Sequence, residues 1–247
     1  MNVHENRMLP ITAFILAGGI GSRLKSVVSD RPKPMALVEG KPFLEILIES
    51  VATKGIRRII LLTGYMSEHI ELFATNFKHP DITLEVSREE TPLGTGGAVR
   101  NAIRFASDPT LLVNGDTYFE SDIQKLLDFH QSRRCAVTLS LCRVEDVGRY
   151  GAVLVRQDGQ IKDFQEKSEG NHAPGLINAG FSMISLGIIE GLPGNTTFSM
   201  EKDIFPSLVQ TGKMYGIQQS GAFFDIGTPE SYFDFIKYLS ERRKKFG

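Results

Sequence analysis

Residues 12–24 read TAFILAGGIGSRL, an apolar run that ends in clustered glycines followed by an arginine. The apolar part, residues 12–17, predicts a buried β-strand, because it is short, continuous and bounded by turn-forming residues. Glycines directly after such a strand allow backbone N–H groups to approach phosphate oxygens without obstruction from side chains. Arg23 adds a planar guanidinium whose donors match a phosphate group. The stretch therefore predicts the first strand of an α/β fold and a phosphate-binding loop after it.

Two common phosphate-binding loops do not match this stretch. A dinucleotide-binding loop would need a third glycine where Leu24 stands, and a Walker A loop would need Gly-Lys followed by Ser or Thr. The remaining alternative is an ordinary strand-to-helix turn, which does not require clustered glycines together with an arginine. We therefore favour phosphate binding.

Strand-like and helix-like segments alternate downstream of this loop. Predicted strands cover residues 57–63, 82–87 and 110–114, and predicted helices cover residues 42–54, 67–77, 96–106 and 121–131. The last of these helices would begin at a capping box formed by Ser121 and Gln124. Because the strands are apolar throughout, the pattern indicates a doubly wound, mostly parallel sheet with helices on both faces.

The pattern changes after Ala136. Strands with little intervening helix are predicted over residues 136–142, 151–156, 160–165 and 177–186, which indicates an antiparallel insertion or sheet extension. Helices follow over residues 200–209 and from Pro229, with Thr228 as the N-cap. With no internal repeat or clear linker, the sequence predicts a single domain over residues 1–247, with the antiparallel extension roughly within 136–186.

The composition limits the partners and the compartment. Lys and Arg total 28 and Asp and Glu total 29, and no charged block indicates binding to nucleic acid or to a membrane. No stretch approaches the ~18 apolar residues of a membrane span, and the N-terminus does not resemble a secretory signal. Cys135 and Cys142 would be about 23 Å apart along one strand, too far for a disulfide. We expect reduced, buried thiols and a cytoplasmic location.

A second motif is DRPKPM at residues 30–35, in which Lys33 stands between two prolines. Each proline disfavours the α region for the residue before it, so we expect an extended backbone at Lys33. A lysine fixed in this way predicts a cation directed at phosphate, the alternative being a solvated surface charge.

These motifs resemble those of the sugar-1-phosphate nucleotidylyltransferases, which activate hexose and heptose 1-phosphates. The resemblance continues in the family's order through EETPLGTGG (89–97), VNGD (113–116), FQEK (164–167), INAG (177–180) and FDIGTPESY (224–232). It implies a Rossmann-like three-layer α/β fold with an antiparallel extension over the active site. It also implies an enzyme that joins a nucleotide to a sugar 1-phosphate and releases pyrophosphate.

The resemblance assigns roles to individual residues. Arg23 and Lys33 would be catalytic, and Asp116 and Asp225 would hold Mg²⁺, which prefers carboxylates together with phosphate oxygens. The implied nucleotide-binding residues are Leu16, Ala17, Gly18, Gly19, Gly21, Glu89, Gly94 and Asp116. The implied sugar-phosphate-binding residues are Gly151, Glu166, Lys167 and Asn178. Two departures from the family concern supporting packing: Ser168 stands where proline is frequent, and the chain has no tryptophan.

The base preference is predicted from Glu89, which by resemblance faces the pairing edge of the base from five residues before Gly94. A carboxylate only accepts hydrogen bonds, and guanine offers N1–H and the N2 amine side by side. Uracil and thymine would suit an amide better, and adenine has no N1–H. The sequence therefore predicts GTP, and the adjacent Glu90 leaves a one-residue register alternative open.

The sugar is indicated only by resemblance, which is strongest to D-glycero-α-D-manno-heptose-1-phosphate guanylyltransferases. The product would be a GDP-heptose for cell-surface polysaccharide. Mannose 1-phosphate is the second candidate, and uridylyl or thymidylyl transfer to a hexose 1-phosphate is the third.

Two other functional classes fit the sequence less well. A glycosyltransferase would usually carry Asp-x-Asp where this chain reads NGDTY at residues 114–118. A catalytically inactive nucleotide-sugar sensor would be expected to have lost Arg23, Lys33 or Asp116, and all three are present. The family often forms homo-oligomers, and no apolar stripe in this chain decides the oligomeric state.

Overall fold

The computed structural model describes residues 8–19, 24, 26–165, 173–194 and 196–246. The strands are β1 (Leu9–Leu16), β2 (Leu37–Val38), β3 (Lys41–Pro42), β4 (Ile56–Thr63), β5 (Thr83–Arg88), β6 (Thr110–Asn114), β7 (Thr117–Phe119), β8 (Val137–Val144), β9 (Ala152–Val155), β10 (Ile161–Gln165), β11 (Gly175–Ile184), β12 (Met214–Gln218) and β13 (Phe223–Asp225). The helices are α1 (Phe43–Ala52), α2 (Ser67–Asn76), α3 (Gly94–Asn101), α4 (Ile123–Arg133), α5 (Leu186–Gly191), α6 (Phe205–Gln210) and α7 (Pro229–Phe246). Short 3₁₀ turns cover Lys33–Met35 and Ile103–Phe105, and a π-helix, Met200–Ile204, leads into α6.

Seven strands form the central sheet in the order β12-β8-β11-β6-β1-β4-β5. Strand β1 pairs in parallel with β4 and β6, as do β4 with β5 and β8 with β12. Strand β11 runs antiparallel to both of its neighbours, β6 and β8. The sheet is therefore mostly parallel, and the predicted fold class is confirmed.

The central strands are apolar throughout because their side chains alternate between two buried clusters, one on each face of the sheet. In β1, Ile15 belongs to the first cluster and Phe14 to the second; in β4, Leu61 and Ile60 divide in the same way. Side chains of α1, α4 and α7 complete the first cluster, and those of α3, α5 and α6 complete the second. Because successive side chains of a strand point to opposite faces, each central strand contributes to the buried clusters on both faces of the sheet.

The region predicted as an antiparallel extension is divided between two places. Strands β8 and β11 join the central sheet, whereas β9 and β10 form a separate two-stranded ribbon. This ribbon packs against α6, where the rings of Phe164 and Phe205 stack with centroids 6.0 Å apart. Among the described helices, none has both the length and the apolar character needed to cross a membrane.

The predicted capping box at Ser121 is wrong. Asp122 caps α4 instead, and its carboxylate accepts a hydrogen bond from the Lys125 N–H at 2.9 Å. The Ser121 hydroxyl is buried and lies 3.2 Å from the hydroxyl of Ser140. Tertiary partners therefore draw Ser121 into the core and leave the cap to the next residue.

The two cysteines are free and buried, as expected. Cys135 lies before β8 and not within a strand, and Cys142 lies inside β8. Burial raises the pKa of the Cys142 thiol to about 12, so this side chain behaves as a small apolar group at neutral pH.

Histidine 130 makes the stability of the fold dependent on pH. Its ring is buried, with Nδ1 2.9 Å from the Thr138 hydroxyl and Nε2 3.0 Å from the Ser185 hydroxyl. Burial lowers the pKa of His130 to about 4 from an ordinary value of 6.5. Between these pH values the unfolded chain binds a proton that the folded protein does not, so stability falls as the pH falls.

We expect His130→Gln to remove this dependence, because an amide retains hydrogen-bonding groups but does not titrate. Between pH 7 and pH 4, the free energy of unfolding of the wild type, measured with urea, should fall by up to about 3 kcal/mol more than that of the variant. The exposed His79→Gln is the matched control and should follow the wild type. Parallel curves for the wild type and His130→Gln would contradict this account.

Candidate active site

The carboxyl ends of four strands meet at one edge of the central sheet. Leu16, the last residue of β1, is in register with Leu62 of β4 on one side and with Asn114 of β6 on the other. Glu89 directly follows β5 in the same parallel set. Ligands of open α/β sheets bind outside the carboxyl ends of the strands. The topology therefore gathers the predicted motifs at the edge where a ligand site is expected.

A cavity of about 450 Å³ opens at this edge. Its lining residues are Leu16, Gly18, Gly19, Lys33, Pro34, Leu62, Glu89, Pro92, Gly94, Thr95, Ala98, Asn114, Gly115, Asp116 and Glu201. The structure thus brings most of the predicted nucleotide-binding residues together with Lys33. Ala17 is fully buried and lies behind the lining.

Glu89 is held in a recess that a glycine provides. A Cβ atom at Gly64 would lie 2.4 Å from Oε1 of Glu89, so a side chain there would displace the carboxylate. Oε2 accepts a hydrogen bond from the Leu93 N–H at 3.1 Å. Burial raises the pKa of Glu89, and this backbone hydrogen bond opposes the shift. Glu89 is therefore a positioned hydrogen-bond acceptor in the cavity wall.

The backbone around Phe198 packs against the start of α3 and hydrogen-bonds to it. Gly94 has φ +71°, and a Cβ atom there would lie 2.5 Å from the Phe198 carbonyl oxygen. That oxygen accepts the Gly96 N–H at 3.0 Å, and the Phe198 N–H donates to the Leu93 carbonyl at 3.0 Å. Gly94 is thus required both by the left-handed backbone and by the close approach of a second segment.

Lys33 joins the two predicted metal ligands. Its ammonium is buried, with Nζ 2.6 Å from Oδ2 of Asp116 and 3.6 Å from Oδ1 of Asp225. The surface-charge alternative for Lys33 is therefore excluded.

The predicted extended backbone at Lys33 is wrong, because Lys33 opens a 3₁₀ turn. In this turn the Met35 N–H donates to the Pro32 carbonyl at 2.8 Å and the Ala36 N–H donates to the Lys33 carbonyl at 3.0 Å. These two hydrogen bonds and the ion pairs of the side chain outweigh the local preference imposed by the following proline.

A short antiparallel ribbon sets the distance between the two carboxylates. Asp116 directly precedes β7, and Asp225, the last residue of β13, is in register with Thr117. The Ile226 N–H donates to the Asp116 carbonyl at 3.0 Å, and the Ser231 hydroxyl of α7 donates to the Asp225 carbonyl at 2.5 Å. Residues distant in sequence are thereby fixed around one ammonium.

The donor chemistry of this pair fits Mg²⁺. Asp116 and Asp225 carry carboxylates, the hard oxygen ligands that Mg²⁺ uses together with phosphates and water. Within the described residues, no group of three or more His, Cys, Asp or Glu side chains could hold a metal by itself. The Mg²⁺ site at Asp116 and Asp225 stays a prediction.

The described sugar-site residues, Gly151 and Asn178, border this edge but do not line the cavity. The Asn178 Oδ1 accepts the N–H of Gly180 at 3.0 Å, and Gly180 packs against Asn114 of β6. Gly151 has φ +81° and follows Tyr150, whose ring lies 5.4 Å from that of Phe223 in β13. The predicted sugar residues Glu166 and Lys167 lie outside the described residues, as do Gly21 and Arg23.

Sequence reasoning missed Thr95 and Glu201 as lining residues. The Thr95 hydroxyl donates to Oε2 of Glu201 at 2.7 Å, across 106 positions of sequence. A local signal was available, since Ser199 caps the helical segment that carries Glu201. Such caps are common, however, and this one does not indicate that the segment faces a cavity.

Comparison with known proteins decides the family. The family described as nucleotidyl transferase matches residues 12–242. The chain belongs to this family. The enzyme class predicted from the motifs is thereby confirmed.

Among relatives, a D-glycero-alpha-D-manno-heptose 1-phosphate guanylyltransferase of Aneurinibacillus thermoaerophilus is 39% identical over 89% of this chain and 94% of its own length. A mannose-1-phosphate guanylyltransferase of Mycobacterium tuberculosis is 36% identical over 90% of this chain, which covers 62% of that longer protein. HddC from Yersinia pseudotuberculosis, solved in complex with GMP-PN, has 36% identity and a TM-score of 0.83 over 93% of this chain and 99% of its own.

Removal of the Lys33 ammonium should destabilise the fold of this nucleotidyl transferase. We expect Lys33→Met to lower the free energy of unfolding by about 1–3 kcal/mol, because Asp116 and Asp225 lose their shared counter-ion in a partly buried site. Arg31→Met is the matched control, since Arg31 pairs with the exposed Asp30, and its effect should stay within about 0.5 kcal/mol. Urea denaturation measures both, and equal stabilities of the two variants would refute the bridging role.

Proposed function

We propose that the protein transfers GMP from GTP to D-glycero-α-D-manno-heptose 1-phosphate, giving GDP-heptose and pyrophosphate, with Mg²⁺ as cofactor. The observation that carries the proposal is the fixed Glu89 carboxylate in a cavity that also contains Lys33 and Asp116. An acceptor for the base and charged groups for the phosphates then lie in one pocket, as joining a nucleotide to a sugar phosphate requires.

The base preference rests on Glu89. Oε2 is engaged by the Leu93 N–H, and Oε1 lies in the recess beside Gly64 and Gly18. The carboxylate can accept from the adjacent N1–H and N2 amine of guanine, which no other common base presents together. Guanylyltransferase activity in the named relatives supports the same choice.

The reaction needs positioning and charge neutralisation more than acid–base chemistry. The attacking oxygen of the sugar phosphate is already ionised at neutral pH, so no general base is required. Lys33 pairs with Asp116 and Asp225, and its ammonium would lie beside the reacting phosphates. Arg23 and Lys167 would add cations for the triphosphate and the sugar phosphate. Mg²⁺, held by Asp116 and Asp225, would supply further neutralisation of the nucleotide phosphates.

The choice of heptose rests on the relatives that match over their whole length. Heptose 1-phosphate guanylyltransferases from Aneurinibacillus thermoaerophilus and Campylobacter jejuni are covered over 94% and 98% of their length. The mannose-1-phosphate enzymes are covered over less, for example 62% of the Mycobacterium tuberculosis protein. Mannose 1-phosphate is therefore the second candidate substrate.

The same proposal includes a cellular role. The GDP-heptose would serve cell-surface polysaccharide assembly, and the protein would act in the cytoplasm, where its unpaired thiols remain reduced.

Pyrophosphate release with Mg²⁺ tests the proposal directly. Five nucleoside triphosphates are crossed with manno-heptose, mannose and glucose 1-phosphates, and we expect turnover with GTP and the heptose phosphate that EDTA abolishes. Turnover with another nucleotide would keep the enzyme class and remove the assignment of Glu89. Nucleotide binding without turnover in any pairing would favour a sensor instead.

Base selection is tested by Glu89→Gln, with the exposed neighbour Glu90→Gln as the matched control. We expect the Glu89 variant to lose at least tenfold in kcat/KM for GTP relative to UTP, because an amide cannot accept from both guanine donors. Glu90→Gln should retain the preference of the wild type. The reverse pattern would show that the base is read one residue further along the chain.

A further inference from the structure

Glu201 lines the cavity from a segment outside the recognised motifs. It belongs to the π-helix Met200–Ile204, and π-helical turns are rare and concentrate at functional sites. Its Oε2 accepts hydrogen bonds from the Thr95 hydroxyl at 2.7 Å and from the Ser199 hydroxyl at 2.8 Å. Two donors on one oxygen fix the direction of the carboxylate.

A carboxylate is poorly suited to contact phosphate, so Glu201 must face a part of the ligands that donates hydrogen bonds. The proposed ligands have three such parts: the base, the hydroxyls of the ribose and the hydroxyls of the sugar 1-phosphate. Glu89 lies on the side of the cavity formed by Gly18 and Gly64, where the base is proposed to bind. Glu201 lies against Thr95 at the start of α3, on a helical segment separate from the loop that carries Glu89.

The segment that carries Glu201 leads directly into α6, which packs on the β9–β10 ribbon. Met200 and Phe205 lie in the same buried cluster as Val153 of β9 and Ile161 of β10. In the sequence this ribbon starts directly after Gly151 and ends directly before Glu166 and Lys167, the predicted sugar residues. Glu201 therefore lines the cavity from a segment that continues into the helix packed on this ribbon.

We propose that Glu201 is a sugar-specificity residue whose carboxylate accepts a hydrogen bond from a ring hydroxyl of the sugar 1-phosphate. Thr95 and Ser199 position the carboxylate for this contact. The inference rests on the proposed function and extends it to Glu201, a cavity residue outside the recognised motifs.

The first test compares Glu201→Ala and Glu201→Gln with Glu190→Ala, an exposed glutamate of α5. With the sugar 1-phosphate that the wild type uses best, we expect Glu201→Ala to raise KM for the sugar phosphate ten- to a hundredfold. The Kd of GTP, measured by calorimetry, should stay within threefold. Glu201→Gln should be intermediate, because its carbonyl oxygen still accepts hydrogen bonds, and Glu190→Ala should match the wild type. An unchanged KM for the sugar phosphate, or a loss of GTP affinity in its place, would overturn the inference.

The second test separates recognition from structure by using monodeoxy analogues of that sugar phosphate. One analogue, lacking the hydroxyl that Glu201 contacts, should be a poor substrate for the wild type and no poorer for Glu201→Ala. An equal loss with every analogue would show a structural role and reject the specificity role. Absence of turnover by the wild type itself would overturn the proposed function and this inference with it, so the two failures are distinguishable.

Discussion

The edge of the sheet that carries the cavity depends on one ammonium placed between two carboxylates. Lys33 comes from the turn after the glycine-rich loop, Asp116 from the end of β6, and Asp225 from the last strand of the fold. Two carboxylates held close together repel each other, and a buried cation needs a counter-charge. The two ion pairs therefore offset both the repulsion between the carboxylates and the burial of the ammonium. They also hold the three segments together.

The scaffold around this cluster restricts its movement from several directions. The β7–β13 ribbon fixes the backbone of both aspartates, and the Ser231 hydroxyl at the start of α7 holds the Asp225 carbonyl. The neighbouring Tyr232 hydroxyl donates to the Leu37 carbonyl at 2.5 Å, which ties α7 to the strand that follows Lys33. One helix end thus anchors both sides of the ion cluster, and preorganised charge is what phosphoryl-group chemistry requires.

The cavity combines groups of opposite charge, each with a separate role. The chain is nearly neutral overall, so the charges for anionic substrates are placed locally. The ammonium of Lys33 and the carboxylates of Glu89 and Glu201 line the same cavity, and a carboxylate suits only parts of a ligand that donate hydrogen bonds. In the proposed function, these charges on different elements would distinguish the base, the phosphates and the sugar.

The sequence by itself determined the mostly parallel sheet except its edge strand β12, the chain order of its main elements and the motifs at its edge, because hydrophobic period and turn chemistry are local properties. It also indicated the family through the order of its motifs, while the roles of the individual site residues stay predictions. Local rules were wrong at Ser121 and at the Lys33 backbone, where tertiary partners outweighed them. Only the tertiary structure decided that Lys33 pairs with Asp116 across 83 positions and that Thr95 orients Glu201 across 106. Such pairs form because the folded sheet brings particular strand ends together. No local preference of the chain encodes contacts between residues so far apart in sequence.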